Sequence, residues 1–336
     1  MNTVRKSLSV LLFGLLLGIG SSAALADASL LNVSYDVARD VYKDFNPLFQ
    51  KYWQAKTGEA VEIKQSHAGS TKQVRAVADG LEADVVTMNQ VNDIEFLVDK
   101  GLVAKDWGAK FANHASPYTS TMVFIVRQGN PKNLKDWADL AAPGVQIIIP
   151  HPKNTGNGRN TYLSAWAWAL RQPGGNDQTA QEFVGKLLKN APLFATGGRD
   201  ATTTFMQRRM GDVLITFESE AEMIAKEFGK GEFSVVYPSL TMQTEFPVAL
   251  VDKVVDKKGT RKEATAYLEY LWSKEGQENA AQNYLRPRDP ELLKKYAASF
   301  PAVKTFTVDE VFGGATKAFA THFKDGGTFD QVYVAK

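Results

Sequence analysis

The sequence predicts an α/β protein with two α/β lobes joined by crossing strands. Short apolar runs typical of strands alternate with segments of helical periodicity along the chain. This alternation is typical of largely parallel sheets that are covered by helices. It occurs in two successive parts of the chain, with no linker rich in Pro, Gly or Ser between them. We therefore expect two lobes connected by strands that cross from one to the other.

Residues 1–26 have the three parts of a secretory signal peptide. A basic start with Arg5 and Lys6 is followed by an apolar stretch and, at residues 24–26, by an A-x-A cleavage motif. A membrane anchor is the alternative, but it needs about 20 apolar residues, and glycines and serines make this segment too short. We expect cleavage after Ala26 and export of the protein across a membrane.

The composition narrows the classes of function. Removal of residues 1–26 removes two positive charges and no negative ones, so the net charge falls from +2 to 0. A partner made of nucleic acid would require a basic surface instead. The chain has no Cys, and its four His form neither an HExxH motif nor an i, i+4 pair. We predict no metal, no cofactor and no nucleic-acid partner, and no stretch after the signal peptide is apolar enough to embed the protein in a membrane.

The first part of the chain predicts three strands and two helices. After the first strand, apolar residues recur at helical spacing, and Pro47 marks a kink or a break in that helix. A second helix begins near Ser70 and ends at Gly80. The strands are predicted at residues 30–35, 61–65 and 83–88.

The second part repeats this order and ends in a helical tail after Pro287. Two of its strands, 119–127 and 245–255, are our candidates for crossing between the lobes. The remaining strands are predicted at 145–150 and 211–217, and helices at 159–171 and 178–189. The predicted lobes are residues 27–117 with 248–285, and residues 118–247 with 286–336.

Four junctions between a strand and a helix are rich in small and hydroxyl-bearing residues. A helix N-terminus exposes unpaired N–H groups and about half a positive charge, so it can bind an anion without a cationic side chain. Any one junction is more often an ordinary helix cap. Four of them, two per lobe, lie at the carboxyl ends of strands, where α/β sheets bind ligands. The junctions are centred on Asp36, Ser70, Gly156 and Gly198.

Two acidic residues offer a catalytic alternative. Glu218 and Glu220 follow a strand and are two residues apart, and a carboxylate pair can perform acid/base chemistry. Such residues more often lie at the start of a helix without a catalytic role. An exported hydrolase or lyase that uses Glu218 or Glu220 is therefore the alternative to a binding protein. Arg199, next to Gly198, is either a ligand contact or part of a salt bridge.

The chain resembles the periplasmic sulfate- and thiosulfate-binding proteins, which are the solute receptors of sulfate ABC importers. The resemblance implies a type II periplasmic-binding-protein fold, a monomer, and one dehydrated dianion held in the cleft between the lobes. It also implies delivery of sulfate or thiosulfate to a membrane permease without turnover; another oxyanion, such as molybdate, is the alternative within this class. The matching segments are LLNVSYD, IKQSHAGSTKQ, ADVVT, VRQGNPKNLKDW, GGRDATTTF, GDVLITFE and DEVFGGATKAF.

The resemblance also assigns the hydrogen-bond donors to the anion. The Asp36 carboxylate would cap its own helix rather than face the ligand. Thr71 and Arg199 are candidates for a layer behind the donors. A site made only of donors would select a fully ionised oxyanion and reject protonated phosphate, whose proton needs an acceptor. The donors are the N–H of Asp36, the N–H and hydroxyl of Ser70, and the N–H groups of Gly156, Asn157 and Gly198.

Phe217 departs from the pattern of this family. The sulfate-binding branch has at this position a Trp whose N–H contacts the ligand, and Phe has no N–H. Asn157 in place of a second glycine and the segment 87–93 also resemble the thiosulfate branch, whereas LLNVSYD, VDKKGT and NYLRPRD resemble the sulfate branch. We hypothesise that Phe217 presents an apolar edge to one ligand atom. The terminal sulfur of thiosulfate is a weaker acceptor than oxygen, so thiosulfate would lose less from the missing donor.

Overall fold

The computed structural model describes residues 28–229 and 231–333. The predicted signal peptide and its cleavage after Ala26 lie outside the described residues. Within the described ranges, no helix is both long and apolar enough to cross a membrane. In chain order the strands are β1 (Ala28–Tyr35), β2 (Val61–Ala68), β3 (Val85–Thr87), β4 (Tyr118–Arg127), β5 (Ile147–Pro150), β6 (Phe194–Ala195), β7 (Val213–Phe217), β8 (Phe233–Val236), β9 (Thr241–Glu245), β10 (Val248–Leu250), β11 (Arg286–Pro287) and β12 (Thr305–Phe306).

Helices connect most of these strands, and short 3-10 helices occur at Asp36–Ala38, Trp107–Ala109 and Tyr270–Trp272. The α-helices are α1 (Arg39–Thr57), α2 (Ser70–Ala78), α3 (Val91–Asp99), α4 (Ala112–Ala115), α5 (Trp137–Leu140), α6 (Gly156–Leu170), α7 (Asp177–Lys189), α8 (Gly198–Met206), α9 (Glu218–Phe228), α10 (Asp252–Lys258), α11 (Arg261–Glu269), α12 (Lys274–Gln282), α13 (Pro290–Lys295), α14 (Val308–Phe312), α15 (Ala315–His322) and α16 (Thr328–Val332).

The strands form two sheets, which confirms the predicted α/β class. The first sheet has the order β10-β3-β1-β2, with β1 parallel to both β2 and β3 and with β10 antiparallel to β3. The second has the order β12-β9-β4-β7-β5-β6, and β8 and β11 also pair with β4. In this sheet β5 is parallel to β6 and β7, whereas β4 is antiparallel to β7, β8 and β9. We refer to each sheet with its covering helices as the first and the second unit.

The chain passes between the units in short segments rather than in long strands. The prediction of one strand over residues 245–255 is wrong, because β9 ends at Glu245 in the second sheet and β10 begins at Val248 in the first. Helix α10 already begins at Asp252. Periodicity alone does not distinguish a short buried strand from a buried helix. Residues 246–251 are all apolar and buried, so they show neither pattern. Strand β4, the other candidate, lies wholly in the second sheet.

Helix α1 shows why the first unit folds as predicted. Val41, Phe45 and Phe49 recur at helical spacing and are buried, and the two Phe rings pack against Tyr267 of α11. The ring centroids of Phe45 and Phe49 lie 5.3 and 5.1 Å from that of Tyr267. Burial of each such ring contributes about 1.5–3 kcal/mol to stability. The helix continues through Pro47 without a break, because this packing offsets the one backbone hydrogen bond that proline removes.

Candidate functional site

The predicted ligand-binding residues come together around one small cavity between the two units. The cavity leaves about 10 Å³ for the centre of a water-sized sphere, so it suits one small ion and excludes an organic molecule. None of the described residues that line it is Lys, Arg or His. We call it the small cavity. Its lining is formed by Asp36, Val37, Gly69, Ser70, Asn89, Thr155, Gly156, Asn157, Gly197, Gly198 and Phe217.

The first unit contributes two helix N-termini to the small cavity. Strand β1 ends at Tyr35, and the 3-10 helix that begins at Asp36 continues into α1. Strand β2 ends at Ala68, and α2 begins at Ser70 after Gly69. In the described chain neither N-terminus receives a side-chain cap from the preceding residue. The Ser70 hydroxyl is buried and makes no hydrogen bond with any described residue. Ser70 therefore offers a free hydroxyl beside free backbone N–H groups.

The second unit contributes the N-termini of α6 and α8. Helix α6 begins at Gly156, three residues before the predicted start, so Gly156 and Asn157 are its first two residues. The Thr155 hydroxyl accepts a hydrogen bond from the Gly158 N–H at 3.1 Å, which caps the third N–H and leaves the first two for the cavity. Helix α8 begins at Gly198. Its N-cap residue is Gly197, which has no side chain to cap the helix.

The Asp36 carboxylate joins the two units beside the small cavity. Its Oδ1 accepts from the Val37 N–H at 3.0 Å, as expected for a cap of its own helix, and its Oδ2 accepts from the Arg199 N–H of α8 at 3.2 Å. A Cβ atom on Gly197 would lie only 2.5 Å from Oδ2, so this contact requires glycine there. Burial raises the pKa of Asp36, and the N–H donors of Arg199 and Val37 partly oppose that rise.

The Arg199 side chain forms salt bridges away from the small cavity. Its Nη2 lies 2.7 Å from Asp40 of α1, and its Nη1 lies 3.3 Å from Glu227 of α9. The sequence allowed Arg199 to be either a ligand contact or part of a salt bridge, and the structure supports the salt bridge. The side chain is more than a third exposed, so solvent screens these ion pairs and each contributes little to stability.

Thr71 belongs to a buried hydrogen-bond network that also spans the units. Its hydroxyl donates to Asp93 at 3.2 Å and accepts from Arg159 at 3.1 Å. Arg159, in the first turn of α6, also donates to Gln90 Oε1 at 2.6 Å and lies 3.7 Å from Asp93. Burial lowers the pKa of the Arg159 guanidinium, and Asp93 opposes this shift. Sequence reasoning missed Arg159, because nothing local shows that a charged side chain is buried.

Two asparagines place amide groups at the small cavity. Asn89, two residues after β3, was missed from the sequence, although the carboxyl end of a strand is where a ligand contact is expected. Its Oδ1 is buried without a described partner. Asn157 donates from Nδ2 to the Thr216 hydroxyl at 2.9 Å, and its Oδ1 also lacks a partner in the described chain. Phe217, the last residue of β7, adds an apolar wall and packs edge-on against Phe246, with ring centroids 5.6 Å apart.

The two glutamates of the catalytic alternative have separate roles. Glu218 is held by Arg286 through bonds of 2.7 and 2.8 Å and accepts from the Tyr237 hydroxyl at 3.0 Å. Glu220 is buried, and its Oε1 has no partner within the described residues. Burial raises the pKa of Glu220 to about 8, and nearby Asp36 adds to the rise. Neither carboxyl lines the small cavity, so the geometry does not favour hydrolase or lyase chemistry.

The chain is similar to several known proteins and matches one family model. A family model described as bacterial extracellular solute-binding protein matches residues 33–286. A thiosulfate-binding protein of Pseudomonas aeruginosa is 60% identical over 328 residues, which cover 97% of this chain and 98% of that protein. A sulfate-binding protein of Escherichia coli is 49% identical over 312 residues, which cover 93% of this chain and 95% of that protein.

A solved structure gives the same result for the fold. The sulfate-binding protein SubI from Mycobacterium tuberculosis superposes with a TM-score of 0.80 at 34% identity, covering 88% of this chain and 100% of that one. A periplasmic thiamin-binding protein has a TM-score of 0.67 at 16% identity and covers 92% of this chain and 97% of its own, which shows a shared fold. The type II periplasmic-binding-protein fold implied by the sequence is therefore confirmed.

Proposed function

The chain belongs to the family of bacterial extracellular solute-binding proteins, and we propose that it binds inorganic sulfate or thiosulfate and delivers the anion to an ABC-type membrane permease. The observation that carries this proposal is the small cavity. Helix N-termini from both units meet there, without a cationic side chain among the described lining residues. Such N–H groups bind oxyanions. The names of the relatives, thiosulfate-binding and sulfate-binding protein, support the choice of anion.

We assign the donors of the site to the groups that the sequence suggested. They are the N–H of Asp36, the N–H and hydroxyl of Ser70, and the N–H groups of Gly156, Asn157 and Gly198. Each buried donor left without an acceptor costs about 1–3 kcal/mol, so the site strongly favours a ligand that supplies several acceptor oxygens. A protonated phosphate would bring a donor into a set of donors, so we expect it to bind far more weakly than sulfate.

The anion would act by holding two lobes closed. We keep the lobe boundaries of residues 27–117 with 248–285 and 118–247 with 286–336 as part of the proposal. The strands of the first sheet lie at 28–87 and 248–250, and those of the second at 118–245 and 286–306, which supports this division. The contact of Asp36 with the Arg199 N–H crosses between the lobes, so opening would break it. A ligand that bridges the lobes shifts the population towards the closed state.

We further propose that the protein works in the periplasm, as a monomer and without turnover. Its relatives are binding proteins, and the family model describes extracellular proteins, which supports export. The basic start, apolar stretch and A-x-A motif of residues 1–26 support cleavage after Ala26. N-terminal sequencing of the protein from periplasmic extract tests both the compartment and the cleavage site.

Isothermal titration tests the binding function directly. The exported chain, stripped of ligand by unfolding and refolding, is titrated with sulfate, thiosulfate, phosphate and molybdate. We expect one-to-one binding of both sulfur anions and negligible heat from the other two. Ser70→Ala should weaken sulfate binding about tenfold, because it removes one buried donor. Ser239→Ala is the control, since that hydroxyl bonds to Asp136 outside the small cavity. Binding of neither sulfur anion by the unchanged protein would refute the proposal.

A further inference from the structure

The side chain of Asn89 ends in the wall of the small cavity. Asn89 is only 5% exposed, and its Oδ1 makes no hydrogen bond within the described ranges. The residue follows β3 in the first unit, yet its amide lies against the first residue of α6 in the second. A Cβ atom on Gly156 would approach Asn89 Oδ1 to 2.1 Å and Cγ to 2.6 Å. The amide therefore occupies the place that any side chain at position 156 would need.

An acceptor at this place conflicts with its surroundings. Four helix N-termini, whose N–H groups attract an anion, lie around Asn89 in the small cavity, together with the phenyl ring of Phe217. An amide oxygen facing a bound anion would repel it, and a buried oxygen without a donor is itself destabilising. The two ends of a carboxamide have the same shape, and the hydrogen-bond partners decide which end points where. With an anion in the small cavity, an amide that points its NH₂ inward donates to the anion instead of repelling it.

We propose that Asn89 contacts the bound anion directly and donates a hydrogen bond to it from its side-chain amide. This inference rests on the proposed function and adds one donor to those assigned above. Unlike the backbone N–H groups, which the helices fix, the amide can turn about its side-chain bonds. Asn89 can therefore follow the outer atom of an anion larger than sulfate, such as thiosulfate.

Asn89→Asp gives the sharpest test, because it keeps the shape and replaces the NH₂ by an oxygen. At pH 7 the new carboxylate would face the anion, so we expect more than a hundredfold loss of affinity for both sulfate and thiosulfate. As the pH falls towards about 4 the carboxyl gains a proton and becomes a donor again, so affinity for sulfate, which remains a dianion, should recover; thiosulfate decomposes in acid and is titrated only near pH 7. The unchanged protein is titrated over the same pH range, so that any effect of protonation of Asp36 or Glu220 on affinity can be subtracted.

Two further variants distinguish a direct contact of Asn89 with the anion from a role of Asn89 in folding. Asn89→Ala removes the donor without adding charge and should weaken thiosulfate binding about tenfold and sulfate binding less. Asn92→Asp is the matched control: Asn92 lies in α3, close in sequence, but outside the lining of the small cavity. We expect it to change either affinity less than twofold. Thermal melting of the ligand-free variants reports any loss of folding.

The outcomes distinguish this inference from the proposed function. Binding of both sulfur anions by Asn89→Asp within threefold of the unchanged protein at pH 7 would overturn the contact. So would an Asn89→Ala variant with unchanged affinities, or an Asn89→Asp defect that persists at low pH in a folded protein. Failure of the unchanged protein to bind either anion would instead refute the proposed function.

Discussion

Two concave regions of the molecule differ in size, in charge and in what they can bind. The region beside Thr71, which we call the open cleft, offers about 660 Å³, against about 10 Å³ in the small cavity. Judged by charge alone, the open cleft would be the site for an anion, because cationic side chains line it. These side chains are Arg75, Lys153, Arg159 and Lys324.

Acidic partners remove much of that attraction. Lys153 lies 2.8 Å from both Asp325 and Asp330, and Arg159 lies 3.7 Å from Asp93. Solvent in a wide cleft screens what remains. The described lining of the small cavity has no cationic side chain. Its N–H dipoles are fixed and lie out of water, however, where each hydrogen bond is stronger. Under the function proposed above, dry and oriented N–H donors mark the anion site better than the cations of the open cleft do.

Among the changes that add no charge, the most disruptive should be Gly197→Ala in the wall of the small cavity. Gly197 has extended backbone angles that alanine also adopts, so the backbone tolerates the change. The new Cβ would lie 2.5 Å from Asp36 Oδ2 and would break the hydrogen bond from the Arg199 N–H to Asp36, one of the contacts between the units. We expect the dissociation constant for sulfate to rise about a hundredfold, equal to about 2.7 kcal/mol. Gly185→Ala, whose Cβ would meet nothing closer than 3.8 Å, is the titration control. Equal affinities of both variants would contradict the closure model.

The buried carboxyl behind the small cavity should make stability depend on pH. Burial raises the pKa of Glu220 to about 8, above the usual 4.5, so the folded protein holds a proton that the unfolded chain has lost. This contribution is complete below pH 4.5 and is lost as the pH rises towards 8. Between pH 5 and 7 we expect the free energy of unfolding to fall by about 2 kcal/mol relative to Glu220→Gln. Urea unfolding of both proteins measures the difference, and parallel pH curves would show that Glu220 ionises normally.

Phe217→Trp should change the selectivity of the small cavity. The indole N–H adds a donor where the phenyl ring has none, and oxygen accepts it better than the terminal sulfur of thiosulfate does. We expect the ratio of sulfate to thiosulfate affinity to rise about fivefold, or about 1 kcal/mol. Phe217→Leu, which adds no donor, should leave the ratio near its original value. Competition titrations measure both ratios, and an unchanged ratio in the Trp variant would sink the hypothesis.

Removal of charge from the open cleft should have the smallest effect. Lys153→Gln and Lys324→Gln, singly or together, should change sulfate affinity less than twofold, because neither residue lines the small cavity and solvent screens both. Lys153→Gln also breaks the ion pairs with Asp325, which is fully exposed, and with Asp330, but solvent screens both pairs, so stability should change little. A tenfold loss of affinity in either variant would show that the open cleft takes part in binding.

The helix N-termini that line the small cavity were largely predictable, because each belongs to a local pattern. A strand that ends in small residues before a helix shows itself in a few consecutive positions, as around Ser70 and Gly198. Prediction was weaker where the same pattern suits two structures. The run 245–255 is split between strand and helix, and its residues 246–251 are all buried, so they lack the periodicity that distinguishes a strand from a helix.

By itself the sequence determined the α/β class and the four strand-to-helix junctions whose N-termini line the small cavity. Only the tertiary structure decided that the Asp36 carboxylate reaches the Arg199 N–H, that the Asn89 amide lies on Gly156, and that Arg159 is buried. The physical reason is the range of the interactions. A helix N-terminus is made by its own backbone, whereas a contact between the units depends on how two separately folded sheets are placed against each other.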